Sequence, residues 1–339
     1  ILQGAAETLR AFLRAGKEDM LEWGSGDASV GGGDVLRAMF EAASRLLDPN
    51  LEDSASLYAA PLLCQMLRRL PTKVGPVLPD ITRAVVARLR SSQQPNLSAS
   101  LLTVFARIVH VDANGFINLL ASLPSGGEEA NAFEYVMKQW VEKQCDVNGS
   151  FDIKLTTSAL GLLLNTKSPT LNAVVVKGQI VETPAESGRI RTRARAQATG
   201  PEVWTQVPLP VKIVELLADV LIEFAEGIAN DEGDDEWEDD DDDEYEEINP
   251  DEADYDDGVG AHTDGAFTGD LFERLLMRGG LDQFDPDDED EAEDPINAID
   301  LKAFVVGGVK SLHADGSLSG LAASIPARHQ SIIHDAITH

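Results

Sequence analysis

Three observations predict an all-α fold made of stacked helix pairs. Apolar residues make up 43% of the chain and aromatics only 6%, with Leu and Ala dominating, a mix that suits packed helices better than sheets. Through the first 230 residues, apolar side chains recur at helical spacing in runs broken by Gly, Pro or short polar stretches. Paired, these helices repeat roughly every 40 residues, the period of HEAT and armadillo arrays, whose units bury their apolar faces only against neighbouring units. The expectation is a HEAT/armadillo-type helical repeat superhelix over 1–230 and a disordered acidic insertion over 231–296. Further helices follow over 297–339.

The elements follow in order. Leu9 and Leu13 mark a first helix that closes near Gly16. Asp34, after three glycines, is placed to cap the next helix. Val35, Leu36, Met39, Ala43, Leu46 and Leu47 form its stripe and Pro49 ends it. Ser54 or Ser56 opens a third helix with Leu57, Ala60, Cys64, Leu67 and Leu70, where Pro61 predicts a kink. Ile81, Val85, Val86 and Leu89 mark a helix over Pro79 to Arg90. Leu101, Leu102, Phe105, Ile108 and Val109 mark the next. A shorter one around Phe116, Leu119 and Leu120 stops at Pro124. Two more cover Ala132 to Gln144 and Ile153 to Leu164. The rhythm breaks at Ser168, and Val174 to Val181 reads as extended. Pro208 and Pro210 open a strong helix with Ile213, Leu217, Val220, Leu221 and Phe224. Between the acidic tracts, a short helix is expected near 270–278. Ile299, Leu301, Phe304, Val305 and Val309 mark another helix, and Leu318, Leu321, Ile332 and Ile333 a weak last segment.

The formal charge of −32 is concentrated. Asp231–Asp257 holds 19 acids and no base, and Asp282–Asp294 holds 9 more, leaving 31 acids against 27 Lys+Arg elsewhere. Duplex nucleic acid requires a basic stripe that displaces counterions, and none is visible, so direct nucleic-acid binding is not expected. An acidic membrane surface is disfavoured for the same reason, and no apolar run reaches the length of a membrane span. The two cysteines, Cys64 and Cys145, offer neither a disulfide framework nor zinc spacing.

No catalytic set is visible. The histidines His110, His262, His313, His329, His334 and His339 lack metal-binding spacing, and His110 suits a helix carboxyl end. There is no phosphate-binding glycine loop with its lysine and no nucleophile elbow. The carboxylates near Gly258 do not fit a calcium loop. No enzyme activity, cofactor or metal is expected.

Two segments carry binding chemistry instead. Arg189, Arg191, Arg193 and Arg195 alternate within an Arg-rich loop near 185–207, so an extended backbone puts all four guanidinium groups on one face. The comb is either a solvated loop or a contact for an acidic partner, including this chain's own acids. The acidic tract centres on Asp235, Glu236, Trp237, Glu238, Asp239, Asp240, Asp241, Asp242, Asp243, Glu244 and Tyr245. Self-repulsion keeps such a run extended and disordered, and its field attracts compact basic partners. Trp237, Tyr245 and Tyr255 are interleaved among the acids and suit interface anchors. A solvating spacer is the other reading.

A family resemblance rests on ordered pieces: Val176-Lys177-Gly178, Gly188-Arg189-Ile190-Arg191-Thr192-Arg193, Trp204-Thr205, Pro208-Leu209 and Val211-Lys212-Ile213. Leu46-Leu47-Asp48-Pro49, Val104 to His110, Leu120 to Pro124 and Phe133 to Met137 also fit. Thinner support comes from Asp294-Pro295 with Ile299-Asp300-Leu301. Together these resemble the C-terminal region of the karyopherin-β (importin-β) family. The resemblance implies a receptor that carries basic cargo, such as core histones and ribosomal proteins, into the nucleus and shuttles between cytoplasm and nucleus. It also implies that the GTPase Ran binds repeats missing from this chain, which opens on Ile1 and reads as a fragment. A histone chaperone, or a HEAT-repeat scaffold or regulatory subunit without a transport role, is the alternative. The resemblance is not expected to extend past Val309.

Overall fold

The computed structural model describes residues 2–16, 19, 32–181, 203–231 and 293–338. The helices are α1 (Leu2–Gly16), α2 (Gly32–Leu46), α3 (Asp53–Ser56), α4 (Ala59–Arg69), α5 (Pro71–Val74), α6 (Leu78–Ser91), α7 (Pro95–Val111), α8 (Ala113–Ser122), α9 (Ala132–Lys143), α10 (Ser150–Asn165) and α11 (Pro169–Asn172). The strands β1 (Val175–Ile180) and β2 (Trp204–Pro208) follow. Then come α12 (Leu209–Asp231), α13 (Leu301–Ala314), α14 (Ser317–Leu321) and α15 (Ala327–Thr338).

The array has two rows. In the central row α1 packs on α4, α4 on α7, α7 on α10 and α10 on α13. The flanking helices lie against it: α2 on α1 and α4, α6 and α8 on α7, α9 on α7 and α8, and α12 on α9, α10 and α13. This is the all-α HEAT-type array expected from the sequence. The middle of that row, α7 and α10, is nearly apolar all round, because neighbouring helices leave it little solvent. In α7, every residue from Leu101 to Val109 is buried.

Local chemistry sets the boundaries. Asp112 accepts from Gly115 N at 2.8 Å and caps α8, and Asn131 accepts from Glu134 N at 3.0 Å and caps α9. Phe105, Phe116, Phe133 and Trp140 meet at centroid separations of 6.1, 6.3 and 6.5 Å and knit α7 to α8 and α9. Trp140 Nε1 donates to Gln144 Oε1 at 2.9 Å, and Gln144 Nε2 donates to Thr156 Oγ1 of α10 at 2.9 Å. Arg88 is 1% exposed. It donates to Ser56 Oγ, Ser91 Oγ, Leu51 O and Asp53 Oδ1 at 2.7–3.0 Å. Asp53 Oδ2 accepts from Gln93 N and Gln94 N, just ahead of α7.

Three local expectations change. The predicted third helix is two, α3 and α4, and Pro61 falls in the first turn of α4. There its missing N–H has no intrahelical partner to lose, so no kink is needed. The second long helix begins at Gly32, two residues ahead of Asp34. His110 does not act on a helix end alone: its Nε2 lies 3.1 Å from Leu155 O and 3.0 Å from Ser158 Oγ, joining α7 to α10. Burial, ahead of the nearby Arg107 charge, holds its pKa below the ordinary value. Cys64 is half-buried, 3.7 Å from Thr103 Oγ1, and burial raises its thiol pKa. Among the described residues no helix is long and apolar enough to cross a membrane.

Candidate partner-binding surface

Arg189, Arg191, Arg193 and Arg195 lie outside the described residues, as do Asp235 to Tyr245 and the expected helix near 270–278. What the structure shows is where the chain leaves the array for each segment and where it returns.

The first departure is a hairpin. β1 and β2 pair antiparallel, with Val175 opposite Pro208, Val176 opposite Val207, Lys177 opposite Gln206 and Ile180 opposite Trp204. The register shifts between Lys177 and Ile180, an irregularity at Gly178 and Gln179. Thr205 fills it: Gln179 N donates to Thr205 Oγ1 at 2.8 Å, and the hydroxyl donates to Gln179 O at 3.2 Å. A Cβ on Gly178 would lie 2.5 Å from that Oγ1 and 3.0 Å from Val207 Cγ1, so the close approach requires glycine. Val181 N donates to Val203 O at 2.8 Å and extends the ladder. Ile180, Val181 and Val203 are exposed.

The second departure begins on α12, which continues to Asp231. Its last turns carry Asp219, Glu223 and Glu226 at helical spacing, facing α15. His329 Nε2 is 2.7 Å from Asp219 Oδ1, and Arg328 Nη2 donates to Glu226 Oε1 at 2.7 Å. Glu223 Oε2 is buried with no hydrogen-bond partner among the described residues. Burial, then the charges of Asp219 and Glu226, raise the Glu223 pKa to about 7.

The chain returns as an irregular strap across the central row. Arg69 of α4 donates to Glu293 Oε2 at 3.2 Å. Asp294, 3% exposed, sits between α4 and α7. Arg107 grips it with Nη1 at 3.1 Å from Oδ1 and Nη2 at 2.8 Å from Oδ2. Arg68 Nε lies 3.5 Å from Oδ2, and Ile296 N donates to Oδ1 at 3.1 Å. Ile296 enters the core at 5% exposure. Lys154 of α10 donates to Asn297 O at 3.4 Å. Asp300 then caps α13, accepting from Ala303 N at 2.9 Å. Phe304 of α13 rests on Gly161 of α10, where a Cβ would lie 2.8 Å from its ring. Composition groups Asp294 with the acidic tract, yet it is a buried anchor. Arg68, Arg69 and Arg107 were invisible as a set, because Arg107 is far from the other two in sequence and joins them only through helix stacking. Among the described residues no cluster of His, Cys, Asp and Glu is arranged to hold a metal ion.

The profile of the family described as Importin-11-like, TPR repeats matches residues 32–318. The chain belongs to that family of karyopherin-β proteins. HEAT and TPR units are both helix pairs stacked on the next pair, so the description suits the two-row array. The region is similar to Importin subunit beta-5 of Schizosaccharomyces pombe, 25% identical over 242 residues, covering 70% of this chain and 23% of that protein. It is similar to Importin-9 of Drosophila melanogaster, 25% identical over 248 residues, again 70% of this chain and 23% of the relative. Importin subunit beta-5 of Saccharomyces cerevisiae is 30% identical over 186 residues, 55% of this chain and 18% of that protein. This karyopherin-β region therefore spans less than a quarter of the length of these relatives.

Proposed function

We propose that this region is part of a nuclear import receptor that binds basic protein cargo, such as core histones and ribosomal proteins, by reversible association without bond making. On this reading the receptor shuttles between cytoplasm and nucleus. The GTPase Ran acts through repeats outside this chain. The observation that carries the reading is the run Asp235 to Tyr245, an acid-dense stretch between two helices of an importin-family array. Such a run raises the local concentration of a compact basic protein and speeds encounter. Trp237, Tyr245 and Tyr255 supply anchors that hold it. The comb of Arg189, Arg191, Arg193 and Arg195 is then an acid-facing contact, since guanidinium groups bind carboxylates through planar paired donors.

The test is histone-binding kinetics at two salt concentrations. The field is screened over about 8 Å at physiological salt. Deleting residues 231–257 should slow association at low salt, with a smaller effect at high salt. Replacing Trp237, Tyr245 and Tyr255 with serine should instead raise the dissociation rate. Equal association rates at low salt with and without the tract sink the capture role and leave a solvating spacer.

A further inference from the structure

The strap has the attributes of a bound peptide. Side chains of three successive central-row helices reach it: Arg68 and Arg69 from α4, Arg107 from α7 and Lys154 from α10. Glu293 and Asp294 meet charge of the opposite sign, Ile296 is buried and Ile299 packs against the core. The Asp294 carboxylate is held by three guanidinium nitrogens and one backbone N–H. Phe151 of α10, its ring 5.6 Å from the Arg107 guanidinium carbon, supports that group from behind. Arg68 and Arg107 stand on neighbouring helices with like charge and little solvent, at 13% and 11% side-chain exposure. An anion between two like charges so placed offsets their repulsion.

We propose that Arg68 and Arg107 form a recognition site for an aspartate heading an Asp-Pro turn, that the ligand class is an extended acidic peptide, and that Asp294 fills the site in cis. The filled site fixes where the acid-rich segment rejoins the array. From Asp300 at the start of α13, the strap carries the chain back across α10 and α7 to α4. Glu293 is therefore held on the α4 side of the row, at Arg69, instead of at α13. The inference goes beyond the cargo reading and is tested without cargo.

The probe is a fluorescent synthetic peptide of residues 288–300, added to the full chain and read by anisotropy at low salt. In the unaltered protein the tethered strap competes at an effective concentration of order 1 mM, so the peptide should show no saturable binding below that range. Asp294→Ala with Ile296→Ser loosens the strap while leaving the arginines in place. It should bind the peptide at least tenfold more tightly than the unaltered protein. Adding Arg107→Ala should abolish that gain, and a peptide carrying Asn at position 294 should not bind. Peptide binding no tighter than in the unaltered protein, or equal binding of the Asn peptide, overturns the site. Should the double variant fail to fold, Arg107→Lys keeps the charge and loses the paired grip. Amide exchange over 293–298 should then accelerate at least tenfold while α4 and α7 stay protected. Unchanged exchange there overturns the proposal.

Discussion

Two long stretches of the chain, 182–202 and 232–292, are flanked by described residues that are fastened to the array by different physics. The hairpin at β1 and β2 is held by backbone pairing and one threonine hydroxyl, with Ile180, Val181 and Val203 left exposed at its tip. The return after the acidic segment has no ladder. It is held by side-chain charge, with Asp294 buried between two arginines of different helices. A ladder spreads its free energy over many modest bonds, each worth about 1 kcal/mol net. A buried ion cluster concentrates its dependence on one group, because removing a partner strands the rest. The first fastening should fray, and the second should fail as a unit.

The largest effect should come from Asp294→Ala. It leaves Arg68 and Arg107 charged, facing one another and poorly hydrated, and should cost about 3–5 kcal/mol, read from the urea midpoint. Converting Arg68 and Arg107 to Met together with Asp294→Leu should recover most of that loss, because an apolar trio of similar volume needs no pairing. A full loss in the triple variant breaks the contrast drawn here. Next is Gly178→Ala. The new methyl displaces the Thr205 hydroxyl from Gln179 and should cost about 1 kcal/mol. Hydrogen exchange should speed up over 175–180 and stay unchanged in α4 and α7. Cooperative loss of the whole array would show the hairpin to be as integral as the strap.

The smallest effect concerns the start of the second departure, where α12 meets α15. The Glu223 pKa is raised by burial and by its carboxylate neighbours, while Arg328 and His329 face the same cluster from α15. A carboxyl with a raised folded pKa favours the fold below its unfolded pKa of about 4.3. That advantage is lost as pH rises through about 7. Glu223→Gln should therefore raise the melting temperature by roughly 1–3 °C at pH 8. The gain should vanish near pH 4.5. An equal gain at both pH values would point to packing instead of charge.

The longer helices were legible because each carries its own period and stop signals, as Pro49, Pro124 and the apolar run of α7 show. The extended reading of Val174 to Val181 was legible from consecutive β-branched residues that no helical stripe could use. Pro61 misled, because a proline in the first turn and one in the middle of a helix look alike until the start is known. The strap was hidden for a deeper reason. Asp294 is one acid among many in its stretch. What distinguishes it is two arginines far away in sequence, brought together only once α4 stacks on α7. Single-sequence periodicity reports the face a helix buries and is silent on which neighbour it faces.

Holding both ends of an excursion to the folded body has a consequence for how such a chain can diverge. Residues 232–292 run between α12, which Glu226 ties to Arg328, and Glu293, which Arg69 holds. The chain entropy lost on closing a loop grows only with the logarithm of its length, so doubling that stretch costs about 0.6 kcal/mol. Wherever such a stretch has no structure of its own, acids can be added or removed with almost no penalty to the helices. The electrostatic reach of this region and the stability of its scaffold are set by separate parts of the sequence, and selection can tune one while leaving the other where it is.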